Sequence, residues 1–181
     1  KREVQKLRSQ NPDSFIIVTG CAAQLKPDFF QNMDAVNLVL GNKEKLSEAS
    51  WKKISKIKTD VELASDDEFI SDITSYSKLP SKTIRPSKTK TRAFIGIQNG
   101  CDHRCTFCII PYARGNSRSL TPNKIKEQIE YLVSVGVKEV VLTGVDITSW
   151  GTDLTTQHKL GDLIELILKG IPKLSRLRIS S

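Results

Sequence analysis

The stretch "NGCDHRCTFCIIPYARGNSRS", Asn99 to Ser119, decides how this chain reads, because it holds three of the four cysteines, spaced CxxxCxxC. A structural zinc site wants four closed ligands, usually from two CxxC-type pairs separated by a longer loop. This stretch supplies only three thiols. His103 is available as a fourth ligand, but it lies between the first two cysteines, and one short loop would have to wrap a tetrahedral ion alone. An iron-sulfur cube is different, because its irons take thiolates and three thiolates leave one iron with an open coordination position. Three cysteines at this spacing therefore point to an open, reactive site.

Composition bounds the rest. The chain has 181 residues, 38% hydrophobic and 27% charged, which suits one or two soluble domains with ordinary cores. No apolar run approaches the roughly 18–20 residues of a membrane span. The opening "KREVQKLRSQNP" has no signal-peptide core or cleavage site. It reads as a helix in full stride inside a longer protein, with Val4 and Leu7 facing inward. The chain is expected to be cytoplasmic and off the membrane, where thiols stay reduced and clustered cysteines serve as ligands rather than disulfides. A net charge of +8 favours an anionic partner such as RNA.

Charge is also unevenly placed. Asp60, Glu62, Asp66, Asp67, Glu68 and Asp72 fall in a run without basic residues, and Lys78, Lys82, Arg85, Lys88, Lys90 and Arg92 follow without acidic ones. With its Ser, Thr and Pro content and little periodicity, the segment 59–91 reads as a linker. Its basic half suits RNA phosphates, and a solvated linker whose halves attract each other accounts for it equally.

Before the linker, "SFIIVTG" and "VNLVLGN" are buried-strand signals, each followed by a helix signal, "KPDFFQNM" and "KEKLSEASWKKISK". Residues 1–58 thus predict a small, partial α/β sandwich of parallel type, with Cys21 just past the carboxyl end of a strand, where ligands gather in open sheets. After the linker the alternation recurs. "RAFIGIQNG" is a strand that runs straight into the cysteine loop. "LTPNKIKEQIEYLVSVG" is a helix with Thr121 as N-cap, Pro122 at N1, Ile125, Ile129, Leu132 and Val133 on one face, and Gly136 at its end. "VKEVVLTG" is a second strand; "KLGDLIELILKG" is a second helix with Leu160, Leu163, Ile164, Ile167 and Leu168 apolar; "LSRLRISS" begins a third strand. Residues 92–181 therefore predict the first βα units of a parallel barrel or sheet, with the cysteine loop and "TGVDITSWG" on one face.

Cys101, Cys105 and Cys108, with Phe107 before the last, resemble the CxxxCxxC signature of radical S-adenosylmethionine enzymes, whose fold is a partial TIM-like barrel. The run IIPxxRGxxRS that follows is similar to the methylthiotransferase family within that superfamily. "VTGCAAQ" is similar to the third-cysteine motif of that family's N-terminal domain, and the other two cysteines of that motif are expected upstream of Lys1. "LTGVDITSWG" resembles the LTGVDITSYG of the branch that acts on threonylcarbamoyladenosine beside the anticodon, with Trp150 in place of tyrosine.

The resemblance implies two 4Fe-4S clusters and S-adenosylmethionine as cofactors. Cys101, Cys105 and Cys108 would hold the radical-generating cluster, and Cys21 an auxiliary one. Phe107, Thr143, Gly144, Val145, Asp146 and Arg118 would bind the cofactor, Asp146 by its carboxylate and Gly144 by letting backbone approach the ligand. Asp146 also suits a plain turn or helix N-cap role. Arg114 and Arg118 fit carboxylate or phosphate in a bidentate way, and cofactor, cluster loop and RNA stay open as their targets. The implied reaction is methylthiolation at carbon two of the adenine in a tRNA anticodon stem-loop, with two S-adenosylmethionine molecules and with electron and sulfur donors unidentified. Isopentenyladenosine or ribosomal-protein specificity is the alternative inside the family. Outside it stands an RNA-binding module in which Cys101, Cys105, Cys108 and a His hold zinc.

Overall fold

A computed structural model describes residues 1–57, 69–80, 91–156 and 158–180. Much of the stretch read as linker, including most of both charge runs, lies outside them. The chain forms two compact units, residues 1–76 with 107–114, and residues 77–106 with 115–181. Among the described residues no helix is long and apolar enough to cross a membrane.

The first unit opens with α1 (Arg2–Gln10), which buries no residue; Leu7 is 49% exposed. The inward stripe expected from Val4 and Leu7 is therefore not formed. Strand β1 (Ile17–Thr19) pairs in parallel with β2 (Leu38–Leu40), Val18 opposite Val39. The sequence predicted one helix between them, but the chain makes two, α2 (Cys21–Leu25) and α3 (Pro27–Gln31). Pro27 explains the break: it has no N–H to continue α2, yet its fixed φ suits the first turn of α3. A 3-10 turn (Glu44–Leu46) and α4 (Glu48–Ile57) follow β2. The core joins Leu38, Leu40, Ile54 and Phe69. Phe69 and Ile73, from the segment read as linker, are 1% and 3% exposed, so these two residues are buried in the first unit.

The second unit is built on three parallel strands in the order β3 (Arg92–Gly96), β6 (Glu139–Thr143), β7 (Arg176–Ile179). Ile95 lies opposite Leu142, and Leu142 opposite Ile179, so the strands end together on one edge. The middle strand, β6, is buried along Glu139–Leu142, as its run of β-branched and apolar residues requires. Helix α6 (Pro122–Ser134) starts at Thr121 with Pro122 in its first turn and buries Ile125, Ile129 and Leu132. Helix α7 (Leu160–Gly170) buries Leu163 and Ile167, while Leu168, expected on the apolar face, is 55% exposed. Both helices belong to one core with Ile95, Ile97, Val140, Leu142 and Trp150. This is the parallel βα alternation read from the sequence.

Candidate functional site

The carboxyl ends of β3 and β6 carry the loops that matter. After β3 the chain makes a two-residue strand, β4 (Gln98–Asn99), antiparallel to β5 (Arg118–Ser119), a ribbon that the sequence did not announce. It closes the neck of the cysteine loop. Gly100 turns the chain there with φ +79°, and a Cβ on it would lie 2.0 Å from the Asn116 carbonyl oxygen. Only glycine fits that turn without displacing backbone. The Cys101 N–H donates to the Gly115 carbonyl at 3.1 Å, the Ser117 N–H to Asp102 Oδ1 at 2.9 Å, and Arg104 to the Cys101 carbonyl at 3.0 Å and Asn116 Oδ1 at 2.7 Å. Arg118 is 2% exposed at the neck, not on the solvent face where RNA would meet it.

Gln98 is the hidden member of the site. Its side chain is buried, and its Nε2 donates to the Gly100 carbonyl at 2.8 Å and to Ser117 Oγ at 3.0 Å. Its Oε1 accepts the Asp146 N–H at 2.8 Å. One amide therefore ties both ends of the cysteine loop to the loop after β6. Gly144 permits this, since a Cβ there would come within 3.0 Å of Gln98 Oε1 and 3.1 Å of Ile147 Cα. The close approach expected at Gly144 is thus made by the protein's own side chain.

Asp146 projects toward the first cysteine. Its Oδ2 lies 3.6 Å from Cys101 Sγ, 3.3 Å from His103 Nε2 and 2.7 Å from Ser149 Oγ, while Oδ1 accepts from Thr148 Oγ1 at 3.0 Å. Burial pushes this carboxyl up, but donation from Ser149, Thr148 and Cys101, with the charge of His103, outweighs burial and holds its pKa below the usual value. The group is an oriented anion at neutral pH. Thr143 is committed to the sheet, its Oγ1 donating to the Ile95 carbonyl at 3.2 Å, and Val145 is exposed. Trp150, read as a substitute for tyrosine, is 1% exposed and donates from Nε1 to the Leu120 carbonyl at 3.0 Å.

Cys105 is exposed in the second unit, and the remaining predicted site residues, Cys21, Phe107 and Cys108, lie in the first. Cys21 is the first residue of α2, directly after the Gly20 turn at the end of β1. Phe107 is 92% exposed, and Cys108 precedes α5 (Ile110–Arg114). Helix α5 packs against α2 and against the 3-10 turn Ile73–Ser75. Asn42 donates from Nδ2 to the Ala113 carbonyl at 2.8 Å, and its own N–H donates to Gln24 Oε1 at 2.7 Å. None of the four cysteines is in a disulfide. Three thiols in one short stretch of sequence, the first of them beside the ionised Asp146 carboxylate, are a soft donor set suited to an iron-sulfur cluster.

Sequence reasoning weighed His103 only as a zinc ligand and passed over Gln98, Thr148 and Ser149. The available signal for Gln98 was a polar residue following Ile95 and Ile97 at the end of an apolar strand.

Residues 95–178 match the radical SAM superfamily. The chain is 42% identical over its whole length to "Threonylcarbamoyladenosine tRNA methylthiotransferase MtaB" of Rickettsia prowazekii, covering 41% of that protein. It is 32% identical to the protein of the same name from Bacillus subtilis, covering all of this chain and 39% of the relative. It is 33% identical to "tRNA-2-methylthio-N(6)-dimethylallyladenosine synthase" of Dictyoglomus thermophilum, covering 97% of this chain and 38% of the relative. The chain thus spans about two fifths of the length of the curated relatives it matches.

Proposed function

We propose that this chain, whose residues 95–178 match the radical SAM superfamily, is part of a cytoplasmic tRNA methylthiotransferase that modifies carbon two of threonylcarbamoyladenosine beside the anticodon. The observation that carries the reading is the placement of Asp146 Oδ2 3.6 Å from Cys101 Sγ, which joins the first cysteine to an anion on the neighbouring loop. A cofactor ammonium needs such an anion beside the cysteine loop. The relatives named for threonylcarbamoyladenosine include the one at 42% identity, against 33% for the dimethylallyladenosine synthase, which favours the first substrate.

Cys101, Cys105 and Cys108 would hold a 4Fe-4S cluster, and Cys21 would serve as a ligand of a second. When bound, the first cluster supplies the electron that cleaves the sulfonium bond of S-adenosylmethionine. The residues of this chain bind and orient. Asp146, kept ionised by Ser149 and Thr148, receives the cofactor ammonium as a charge-assisted hydrogen-bond acceptor. Gln98 keeps that carboxylate in register with the cysteine loop. Phe107, exposed between Cys105 and Cys108, offers an apolar face to the nucleoside. Buried Arg118 places a fixed positive charge at the loop neck, suited to the cofactor carboxylate.

The test is nucleoside analysis of tRNA from a strain lacking the full-length gene. The methylthio form of threonylcarbamoyladenosine is expected to disappear, and to return with the wild-type gene but not with Cys101→Ala. Loss of the methylthio form of isopentenyladenosine instead would move the substrate to the sister branch. Unchanged tRNA would overturn the reading.

A further inference from the structure

Three donors of different chemistry meet at one point of the second unit. Cys101 Sγ, His103 Nε2 and Asp146 Oδ2 all lie within 4.8 Å of one another. The thiol and the imidazole address the same carboxylate oxygen, at 3.6 Å and 3.3 Å. Bond lengths of about 2.3 Å to sulfur and about 2.0–2.1 Å to nitrogen or oxygen, at tetrahedral angles, give S···O edges of about 3.5 Å and N···O edges of about 3.3 Å. The observed S···O and N···O separations match those edges, and the S···N pair lies within 4.8 Å, so the three atoms are gathered within reach of one tetrahedral ion.

The surroundings resemble those of a built metal site. The Asp146 side chain is 14% exposed, and both its oxygens are held from behind, Oδ2 by Ser149 and Oδ1 by Thr148. Its N–H is fixed by the buried Gln98 amide. Such outer partners orient metal ligands and reduce the ordering cost of binding. His103 is 69% exposed on its side chain, which leaves an entry path.

We propose that, before its cluster is assembled, the protein carries a divalent-cation site of the zinc class made of Cys101, His103 and Asp146. A thiolate, an imidazole and a carboxylate form a borderline donor set that suits Zn2+ over Mg2+ or Ca2+. Binding releases the Cys101 thiol proton to solvent, and water completes the coordination at the fourth position. The site needs neither Cys105 nor Cys108, unlike a zinc site of three cysteines and a histidine. Its consequence, which rests on the cluster reading above, is mutual exclusion: one Cys101 thiolate cannot serve both, so zinc held here withholds a cysteine from the cluster and sets a threshold for iron loading.

The experiment uses the full-length protein, stripped of metal by chelator under anaerobic conditions. Zinc affinity is measured by competition with a chromophoric chelator, and Co2+ is titrated as a spectroscopic stand-in. Expected are a charge-transfer band of one thiolate, a loss of at least about 100-fold in zinc affinity for His103→Ala and Asp146→Asn, beyond what an outer-shell change costs, and near-unchanged affinity for Cys105→Ser and Cys108→Ser. A three-thiolate cobalt spectrum, equal losses in the Cys105 and Cys108 variants, or no tight binding would overturn the site. His103→Ala lies on the surface and keeps the test valid if Asp146→Asn misfolds. Zinc-loaded and zinc-free samples are then offered iron and sulfide. Slower iron uptake with zinc, relieved in His103→Ala, supports exclusion, and equal uptake refutes it. Failure of zinc-free protein to take up iron would instead sink the cluster reading and the exclusion with it, leaving the cation site decided by the affinity data.

Discussion

The main-chain N–H of Asp146 donates to the side-chain oxygen of Gln98 at 2.8 Å, and that one bond couples the loop after β6 to the neck of the cysteine loop. Gln98→Leu keeps the volume and removes every polar contact. The Gly100 carbonyl and the Asp146 N–H then lose a partner, at about 1–3 kcal/mol for each group left buried and unpaired. The thermal midpoint of the full-length protein is expected to fall, and the KM for S-adenosylmethionine to rise with the Asp146 loop loosened. An unaltered KM would show that Gln98 serves packing alone.

Gly100→Ala tests the turn at the head of the loop. The added Cβ would sit 2.0 Å from the Asn116 carbonyl oxygen at a φ of +79°, so backbone must move. Iron content after anaerobic reconstitution is expected to fall well below wild type, because Cys101, the first of the proposed ligands, follows this turn. Full iron content would show that the loop absorbs the change.

The carboxyl of Asp146 gives a pH dependence with a defined sign. Its folded pKa is lowered, the hydrogen bonds from Ser149, Thr148 and Cys101 and the His103 charge outweighing the upward push of burial. Its contribution to stability is therefore fully present above the unfolded value of about 3.9 and is lost as pH falls through the lowered folded value. Ser149→Ala raises the folded pKa and shrinks that contribution. Acid unfolding of the metal-free protein followed by circular dichroism should begin at higher pH in the variant; coincident curves would contradict the role given to Ser149.

In the first unit, Asn42→Ala removes the donor to the Ala113 carbonyl in a buried setting. A cost of about 1–3 kcal/mol is expected. Hydrogen exchange should accelerate in α5, the helix after Cys108, more than in α1. Uniform acceleration would point to global destabilisation instead.

Trp150→Phe deletes the bond from Nε1 to the Leu120 carbonyl and leaves a gap in the second core. Destabilisation of about 1–3 kcal/mol without loss of iron is expected. A selective loss of iron at normal stability would assign Trp150 to the site.

The sequence by itself determined the parallel βα alternation and the gathering of three thiols in one short stretch of chain. Apolar periodicity records which face each strand and helix buries, as at Ile125, Ile129 and Leu132, and the CxxxCxxC spacing records a local loop whose thiols are neighbours in the chain. Even there Leu168 and Leu7 defied the periodicity, because exposure depends on whether a partner surface covers that part of the helix. The tertiary structure alone decided which polar groups meet across sequence gaps. Gln98 and Asp146 are 48 positions apart and Cys101 and Asp146 are 45 apart. They come together because parallel pairing of β3 with β6 sets Gly96 beside Thr143 and brings the following loops to one edge. Hydrogen-bond partners of that kind leave no periodic trace, since a short-range directional bond depends on register and loop path rather than on the hydrophobic pattern that the chain repeats.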